Sequence, residues 1–253
     1  MLAKHRLSKE GDKMMISSAE TLARKKFRIK ETACTIIADK PEALKVAEDT
    51  IAYHRKQLES YIESHADFLY ALKPLEIADG PDVVRLMAWA SAKAGVGPMA
   101  SVAGILADLA VEAMLECGAK TAIVENGGEV AAVSETPVNV ALLAGDSLLS
   151  GKLGFRVEKF PAGIATSSGV YGHALSFGEA EAVTVFAKNA GLADAAATAV
   201  CNVARGNNPD HAIRKGVEKA QSIEGVEGVM IIYKGKVALA GEIPKLISLW
   251  KGG

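Results

Sequence analysis

Two β-hairpins, each preceded by a helical segment, constrain the fold of this chain more than any other feature. The first covers residues 122–133 and turns at Asn126-Gly127-Gly128-Glu129, and the second covers residues 229–239 and turns at Lys234-Gly235. Asn-Gly and Gly-Gly pairs form tight turns because they tolerate a positive φ. Strands that come in hairpins favour an α+β fold over a doubly wound sheet. We therefore expect antiparallel or mixed sheets, built from hairpins and packed against helices.

The two hairpins also resemble each other in sequence. Residues 122–132 read Ala-Ile-Val-Glu-Asn-Gly-Gly-Glu-Val-Ala-Ala, and residues 230–240 read Met-Ile-Ile-Tyr-Lys-Gly-Lys-Val-Ala-Leu-Ala. An internal duplication would produce this likeness, and so would the common similarity of short hairpins. The sequence leaves both explanations open.

Apolar periodicity predicts the remaining elements. One or two strands are expected over residues 27–38 and single strands over 138–143 and 183–187, with further short strands within 144–180. Helices are expected over residues 41–70, 82–94, 98–117, 192–204 and 209–223. Residues 1–25 are polar and basic, so we expect a loosely ordered segment there, followed by one domain over residues 26–253.

Charge and cysteine usage exclude several classes of protein. The net charge is −1 and no basic stripe with interleaved aromatics occurs, which argues against a nucleic-acid partner. The three cysteines form no Cys-x-x-Cys pair, as is typical of a reducing compartment. The longest apolar run, residues 96–115, contains Asp108 and Glu112, so we expect no membrane span. With no apolar signal segment near the start, the expected location is the cytoplasm.

Small residues suggest a ligand site built from backbone. Aromatic residues make up only 5% of the chain, and there are 24 glycines. Backbones that lack bulky side chains approach one another, and a bound ligand, closely. Four segments are candidates for such a site.

The first candidate is the glycine-rich turn and helix start at residues 95–104. A dinucleotide fingerprint must follow a strand, and here a helix precedes the turn, so that reading fails. The helix start around Ser101 and Gly104 has no bulky side chains, and its amides would suit a phosphate. The alternative is an ordinary turn between two helices.

The second candidate is the hairpin turn that contains Asn126, Gly127 and Gly128. Turn formation alone explains both glycines, whereas Glu125 and Glu129 on either side could face a ligand or a cation. Glutamates beside a turn are otherwise simply solvated.

The third candidate is a run of hydroxyl residues, Thr166, Ser167 and Ser168, followed by Gly169 and, further on, His173. Hydroxyls between glycines offer hydrogen-bond donors to a phosphate. No Gly-x-Ser-x-Gly motif occurs to support a serine nucleophile. The alternative is a loop whose hydroxyls complete local turns.

The fourth candidate is the pair Asp194 and Thr198, which lie four residues apart on one helical face. A carboxylate and a hydroxyl are hard oxygen ligands of the kind that Mg²⁺ accepts beside waters and phosphates. The alternative is local: an acidic residue near a helix start complements the helix dipole, and a threonine often bonds back to the preceding turn.

Taken in order, these segments resemble the ApbE-like superfamily, typified by the magnesium-dependent FAD:protein FMN transferase. The similarity covers residues 95–206. Residues 124–129 resemble the family's Asn-x-Gly-Gly-Asp/Glu hairpin, and residues 165–169 its Ala-Thr-Ser-Gly segment. Residues 183–187, followed by 193–199, resemble its Val-Thr-Val-x-Ala and Ala-Asp-Ala-x-x-Thr-Ala run, which is the most specific match.

The resemblance implies roles for particular residues. By analogy, Asp194 and Thr198 hold Mg²⁺. A flavin nucleotide, FAD or FMN, would contact the following residues: Ser101, Gly104, Asn126, Gly127, Gly128, Thr166, Ser167, Ser168, Gly169 and His173.

Two departures from the family pattern limit what the resemblance implies about activity. Ala103 stands where the family has the lysine of Ala-Lys-Gly, and no Asp-Pro follows His173. The chain resembles an uncharacterised, shorter prokaryotic branch of the superfamily. We expect a protein that binds a small nucleotide-like ligand with Mg²⁺ and carries out FMN transfer or FAD pyrophosphate cleavage. The alternative is a non-catalytic binding or scaffold protein that retains the fold. Homo-oligomer formation is left open.

Overall fold

The computed structural model of the chain describes residues 14–17, 22–142, 150–169 and 178–249. The α-helices in these residues are α1 Pro41–Ser64, α2 Ala66–Tyr70, α3 Asp82–Ala94, α4 Val102–Glu116, α5 Ala190–Val203 and α6 Pro209–Gln221. A 3₁₀ turn, Pro98–Ser101, leads into α4. The strands are β1 Met14–Ser17, β2 Ala23–Ile29, β3 Thr32–Ala38, β4 Ala122–Asn126, β5 Glu129–Val133, β6 Val138–Leu142, β7 Leu153–Val157, β8 Ala162–Ser167, β9 Ala182–Ala187, β10 Val226–Tyr233, β11 Lys236–Gly241 and β12 Lys245–Ser248.

These elements form three layers. The middle layer is an eight-stranded sheet in the order β11-β10-β9-β8-β5-β4-β3-β2, with every neighbouring pair antiparallel. Helices cover one face, and the four-stranded antiparallel sheet β1-β6-β7-β12 covers the other. In β4, Ile123 packs between the sheets while the adjacent Val124 packs under the helices, so both faces of the strand are apolar. The predicted α+β fold is confirmed.

The eight-stranded sheet repeats one topology twice. Strands β2, β3, β4 and β5 are adjacent in that order, with helices inserted between the second and third strands, and β8, β9, β10 and β11 follow the same plan. The two predicted hairpins, β4–β5 and β10–β11, occupy equivalent places in the two units. The units meet at the β5–β8 pair, where three residues of each strand are in register. The sequence likeness of the hairpins therefore falls on structurally equivalent strands.

Some predicted boundaries were wrong for local reasons. Residues 27–38, where one or two strands are expected, belong to two strands of a hairpin that begins at Ala23, because the chain turns at Lys30, which has a φ of 50°. The single helix expected over residues 41–70 is two helices, because His65 has the non-helical angles φ −135° and ψ 68°. Strands β1 and β2 both begin before residue 26. The proposed division at residues 25 and 26 stays a prediction.

The apolar segment Pro98–Glu116 is a core helix in this fold. By length and composition it could cross a membrane, with a mean hydropathy of 1.5 in its most apolar window. It packs against α1, α5 and β4, and 56% of that window is buried inside the protein. Buried core helices commonly share this composition.

Candidate functional site

Three contacts bring the candidate segments together at one end of the large sheet. The Asn126 side chain, at the hairpin turn, donates a hydrogen bond from Nδ2 to the carbonyl oxygen of Ala103 at 3.0 Å. The next amide along α4, that of Gly104, donates to Oδ2 of Asp194 at 3.0 Å. Helix α5, which carries Asp194, packs along β8. The turn, the start of α4, α5 and β8 are therefore one connected region.

The hairpin turn has the conformation that its glycines predict. Gly127 and Gly128 have φ values of 68° and 114°, and Asn126 pairs with Glu129 across the turn. The Gly128 amide donates to Oε1 of Glu125 at 3.0 Å. Both glutamates are buried, so neither is a simple solvated side chain beside a turn. The glycines and the carboxylate together define a rigid corner of the site.

The buried Glu125 also affects a neighbouring thiol. Cys34 lies on β3 opposite Asn126, and its side chain is buried. Burial, with a further contribution from the negative charge of Glu125, raises the pKa of the Cys34 thiol to about 12. The thiol is therefore protonated at neutral pH and is not a nucleophile.

The start of α4 differs from the open phosphate-binding end that the sequence suggested. Ser101 is fully buried, and its hydroxyl donates to the carbonyl oxygens of Pro98 at 3.0 Å and Met87 at 3.4 Å. The structure therefore does not bring the Ser101 side chain to the site. The Gly104 amide is used by Asp194, so this amide faces a carboxylate of the protein.

Gly104 has a packing role that the sequence did not indicate. A Cβ atom at this position would clash with the carbonyl oxygen of Ala190 at the start of α5. The two helices cross with their backbones in contact, which only glycine permits here. The close crossing sets the position of α5 relative to the turn.

The start of α5 is held by the carboxylate of Asp108, a residue that in the sequence only interrupts an apolar run. The Asp108 carboxylate accepts hydrogen bonds from the amides of Ala190 and Gly191, each at 2.8 Å. The side chain of Asn189 accepts from the Leu192 amide at 2.9 Å. These side chains pair the amides of the first turn of α5. An acidic residue inside an otherwise apolar helix was the signal for this contact.

Burial raises the pKa of Asp108 to about 6. The amides of Ala190 and Gly191 act in the opposite direction, and the negative charge of Glu112 adds to the increase. At neutral pH the carboxyl is therefore mostly ionised, which is the form that accepts both amide hydrogen bonds.

The hydroxyl residues of β8 do not all face the same way. Ile164 packs between the two sheets and Ala165 packs under the helices. Alternation along the strand then turns Thr166 toward the smaller sheet and Ser167 toward the helices. Thr166 is buried, with its hydroxyl 3.0 Å from the hydroxyl of Thr184 on β9. Of the two, only Ser167 shares the helix face with Asp194.

Two described residues follow β8. Ser168 and Gly169 are partly exposed, and the Gly169 amide donates to the carbonyl oxygen of Ala180 at 3.0 Å. A Cβ atom at Gly169 would clash with the carbonyl of Gly178, so close packing explains this glycine. His173, a further predicted contact, lies outside the described residues.

Asp194 and Thr198 fit part of a magnesium site. They lie one turn apart on α5, where Thr198 is buried and Asp194 is half-buried. Within the described ranges, no group of three or more His, Cys, Asp or Glu side chains has an arrangement that could hold a metal ion. Mg²⁺ is usually bound by one or two carboxylates together with substrate phosphates and water. Two oxygen ligands on one helix face are compatible with that mode and would not form a closed cage.

Two cavities lie elsewhere. One of about 190 Å³ opens between the two sheets and is lined in part by Arg156, Phe186 and Lys245. Another of about 500 Å³ lies among α1, α3 and α4, where His54 and Glu112 contribute to its wall. Neither is lined by the residues that the sequence singled out.

Comparison with known proteins places the chain in a family. The family model described as "AbpE bacteria" matches residues 15–239. A UPF0280 protein of Methanococcus vannielii is 44% identical over 227 residues, which cover 88% of this chain and 92% of the relative. A UPF0280 protein of Methanocaldococcus jannaschii is 42% identical over 229 residues, covering 88% and 93%.

Solved structures share the fold at low sequence identity. The apo form of the flavinyl transferase ApbE from Pseudomonas stutzeri matches with a TM-score of 0.59 and 18% identity, covering 87% of this chain and 94% of that one. The ApbE protein of Thermotoga maritima matches with a TM-score of 0.53 and 16% identity, covering 87% and 96%. The chain therefore belongs to the ApbE-like family, in the branch formed by the UPF0280 proteins.

Proposed function

We propose that the chain binds a flavin nucleotide, FAD or FMN, together with Mg²⁺ at the end of the large sheet. The observation that carries the proposal is the junction of Asn126, Gly104 and Asp194, linked through α4 by two hydrogen bonds of 3.0 Å. Gly104, Gly127 and Gly128 carry no side chains, so backbone at these positions can approach a ligand closely. A relative with the same fold is named a flavinyl transferase, which supports a flavin as the ligand.

The proposed metal ligands are Asp194 and Thr198. They lie on the face of α5 that meets the start of α4 and the end of β8. Mg²⁺ bound there would neutralise charge on the phosphates of the ligand. The corner formed by Gly127 and Gly128 leaves room for the nucleotide, since neither residue carries a side chain.

The proposed reaction is cleavage of the FAD pyrophosphate, in which water attacks phosphorus and FMN and AMP are released. Transfer of FMN to a hydroxyl acceptor is the related reaction, with the acceptor in place of water. Ala103 supplies no positive charge beside the helix start, where the family pattern has lysine. A cation near the phosphates stabilises the developing charge, so its loss lowers the expected rate of both reactions.

The second candidate function is binding without catalysis. The burial of Ser101 and the replacement of a lysine by Ala103 favour it, since both remove polar groups from the start of α4. A protein of this kind would hold a flavin and release no product.

One experiment separates these functions. Purified protein is incubated with FAD and Mg²⁺, bound flavin is measured by absorbance, and FMN and AMP are measured after separation. Asp194→Asn keeps an acceptor for the Gly104 amide and removes the charge needed by the metal. Asp210→Asn, on the exposed first turn of α6, is the matched control.

Three outcomes are informative. Release of FMN and AMP that is lost in Asp194→Asn and kept in Asp210→Asn establishes the enzyme. Retained flavin without product establishes the binding protein. If neither binding nor turnover is observed with either flavin, the proposed ligand is wrong.

We further propose a cytoplasmic location and a partner that is neither nucleic acid nor membrane. The thiols of Cys34, Cys117 and Cys201 form no disulfide, as expected in a reducing compartment. Measuring the mass of the protein in solution tests whether it forms homo-oligomers.

A further inference from the structure

Helices α4 and α5 cap each other through carboxylates. Asp108, in the second turn of α4, accepts from the Ala190 and Gly191 amides at the start of α5, each at 2.8 Å. Asp194, in the second turn of α5, accepts from the Gly104 amide at the start of α4, at 3.0 Å. Each helix therefore provides the carboxylate that caps the other.

Close packing where α4 and α5 cross restricts the movement of both helices. A Cβ at Gly104 would clash with the Ala190 carbonyl, and a Cβ at Gly191 would clash with the side chain of Ile105. Backbones in such contact can slide only if the hydrogen bonds between them break.

From this reciprocal capping we infer that Asp108 is a positioning residue that holds Asp194 in place for its ligand. Asp108 fixes the first turn of α5, and the next turn carries Asp194. Loss of the Asp108 carboxylate frees two amides of α5, which lets the helix move against α4. The Asp194–Gly104 hydrogen bond then weakens, although the hydrogen bonds of the Asp108 carboxylate go to Ala190 and Gly191. The role of Asp194 as a metal ligand rests on the proposed function.

The first measurement tests positioning without any ligand. Hydrogen exchange of individual amides is followed by NMR in the full chain and in Asp108→Asn, which keeps the size of the side chain. Exchange of the Ala190 and Gly191 amides should become faster, and so should exchange of the Gly104 amide, by about tenfold or more. Glu112→Gln, one turn further along α4 and exposed, should leave all three rates unchanged.

The second measurement links positioning to ligand binding. Titration of the folded protein with Mg²⁺ in the presence of FAD gives the metal concentration for half-saturation. In Asp108→Asn that concentration should rise about tenfold or more, while Glu112→Gln binds as the wild type does. A residue that acts on stability alone would leave half-saturation of the folded fraction unchanged.

The outcomes distinguish the positioning role of Asp108 from the proposed function. If Gly104 exchanges at the wild-type rate in Asp108→Asn, or if half-saturation is unchanged in the folded variant, positioning by Asp108 is overturned. If the wild type binds neither Mg²⁺ nor flavin, the proposed function fails, and exchange of Gly104 still decides the positioning role. Should Asp108→Asn fail to fold, Asp194→Ala, which removes the acceptor of the Gly104 amide, gives the reciprocal measurement. Faster exchange of Ala190 and Gly191 in that variant supports the coupling, and unchanged exchange contradicts it.

Discussion

The carboxylate of Asp194 accepts a hydrogen bond from the backbone amide of Gly104 at 3.0 Å, so the proposed metal ligand also caps a neighbouring helix. The two roles are separable by substitution. Asp194→Ala removes both, and we expect it to lower the free energy of unfolding by about 1.5–3 kcal/mol, since a hydrogen bond to a charged group is lost. Asp194→Asn keeps an acceptor and should cost less.

Urea unfolding of the two Asp194 variants, combined with Mg²⁺-dependent flavin binding, checks this prediction. Both variants should lose metal-dependent binding. Equal unfolding free energies for the alanine and asparagine variants would show that the contact with Gly104 does not stabilise the fold.

The raised pKa of Asp108 predicts a pH-dependent contribution to stability. Its ordinary value is 3.8, and burial, with a smaller contribution from Glu112, raises it to about 6 in the folded state. The folded protein holds this proton more tightly than the unfolded chain. The resulting stability is fully present below about pH 4 and is lost as the pH rises through about 6.

The measurement compares unfolding free energies of wild type and Asp108→Asn across this range. The advantage of the wild type over the variant should fall by about 2–3 kcal/mol between about pH 4 and pH 7. An advantage that grows with pH would mean that the folded state lowers the pKa of this group.

Gly104→Ala should destabilise the protein by about 1–3 kcal/mol or more, because the added methyl group meets the backbone of Ala190. Gly216→Ala is the matched helical control, since the nearest atom to its new Cβ is the end of the Ile231 side chain, which can move, and Val200 and Ala204 lie at ordinary contact distances. Alanine is also the better helix former, so Gly216→Ala should be nearly neutral. Thermal unfolding measures both, and equal midpoints would contradict the close crossing of α4 and α5.

Thiol reactivity should distinguish the three cysteines. Cys117 is exposed, whereas Cys34 and Cys201 are buried, and burial raises the pKa of Cys34 to about 12. A thiol reagent at mildly alkaline pH should modify one thiol per native chain and three in denaturant. Cys117→Ser should abolish the native reaction, and rapid labelling of that variant would show that the core opens readily.

Local signals predicted much of the fold. The turn at Gly127 and Gly128 follows from residues that tolerate positive φ, and the end of α3 follows from Gly95, which has a φ of 77°. The four-stranded sheet was not predicted as a separate layer, because its strands pair with partners far along the chain, as β7 does with β12. Pairings of this kind depend on tertiary packing, which periodicity does not report.

The site was predicted less completely than the fold. The candidate segments lie near one another, and their role in ligand binding stays a prediction. The Ser101 side chain points into the core because its hydroxyl donates to the carbonyl of Met87 in the preceding helix. In the sequence, Asp108 only interrupts an apolar run. Its role as an acceptor is not visible there, because the amides that it binds are more than 80 residues away. Chemical type is visible in a sequence, whereas the direction of a side chain is set by its neighbours in space.

The repeated topology of the large sheet means that the proposed site is built from both units. The turn and α4 belong to the first unit, and β8 and α5 belong to the second. The two units meet at β5 and β8 over three paired residues. Each half could complete its own strands and still contain only half of a ligand pocket. The proposed site is complete only when both units are folded and paired, so ligand binding reports that β5 and β8 have joined.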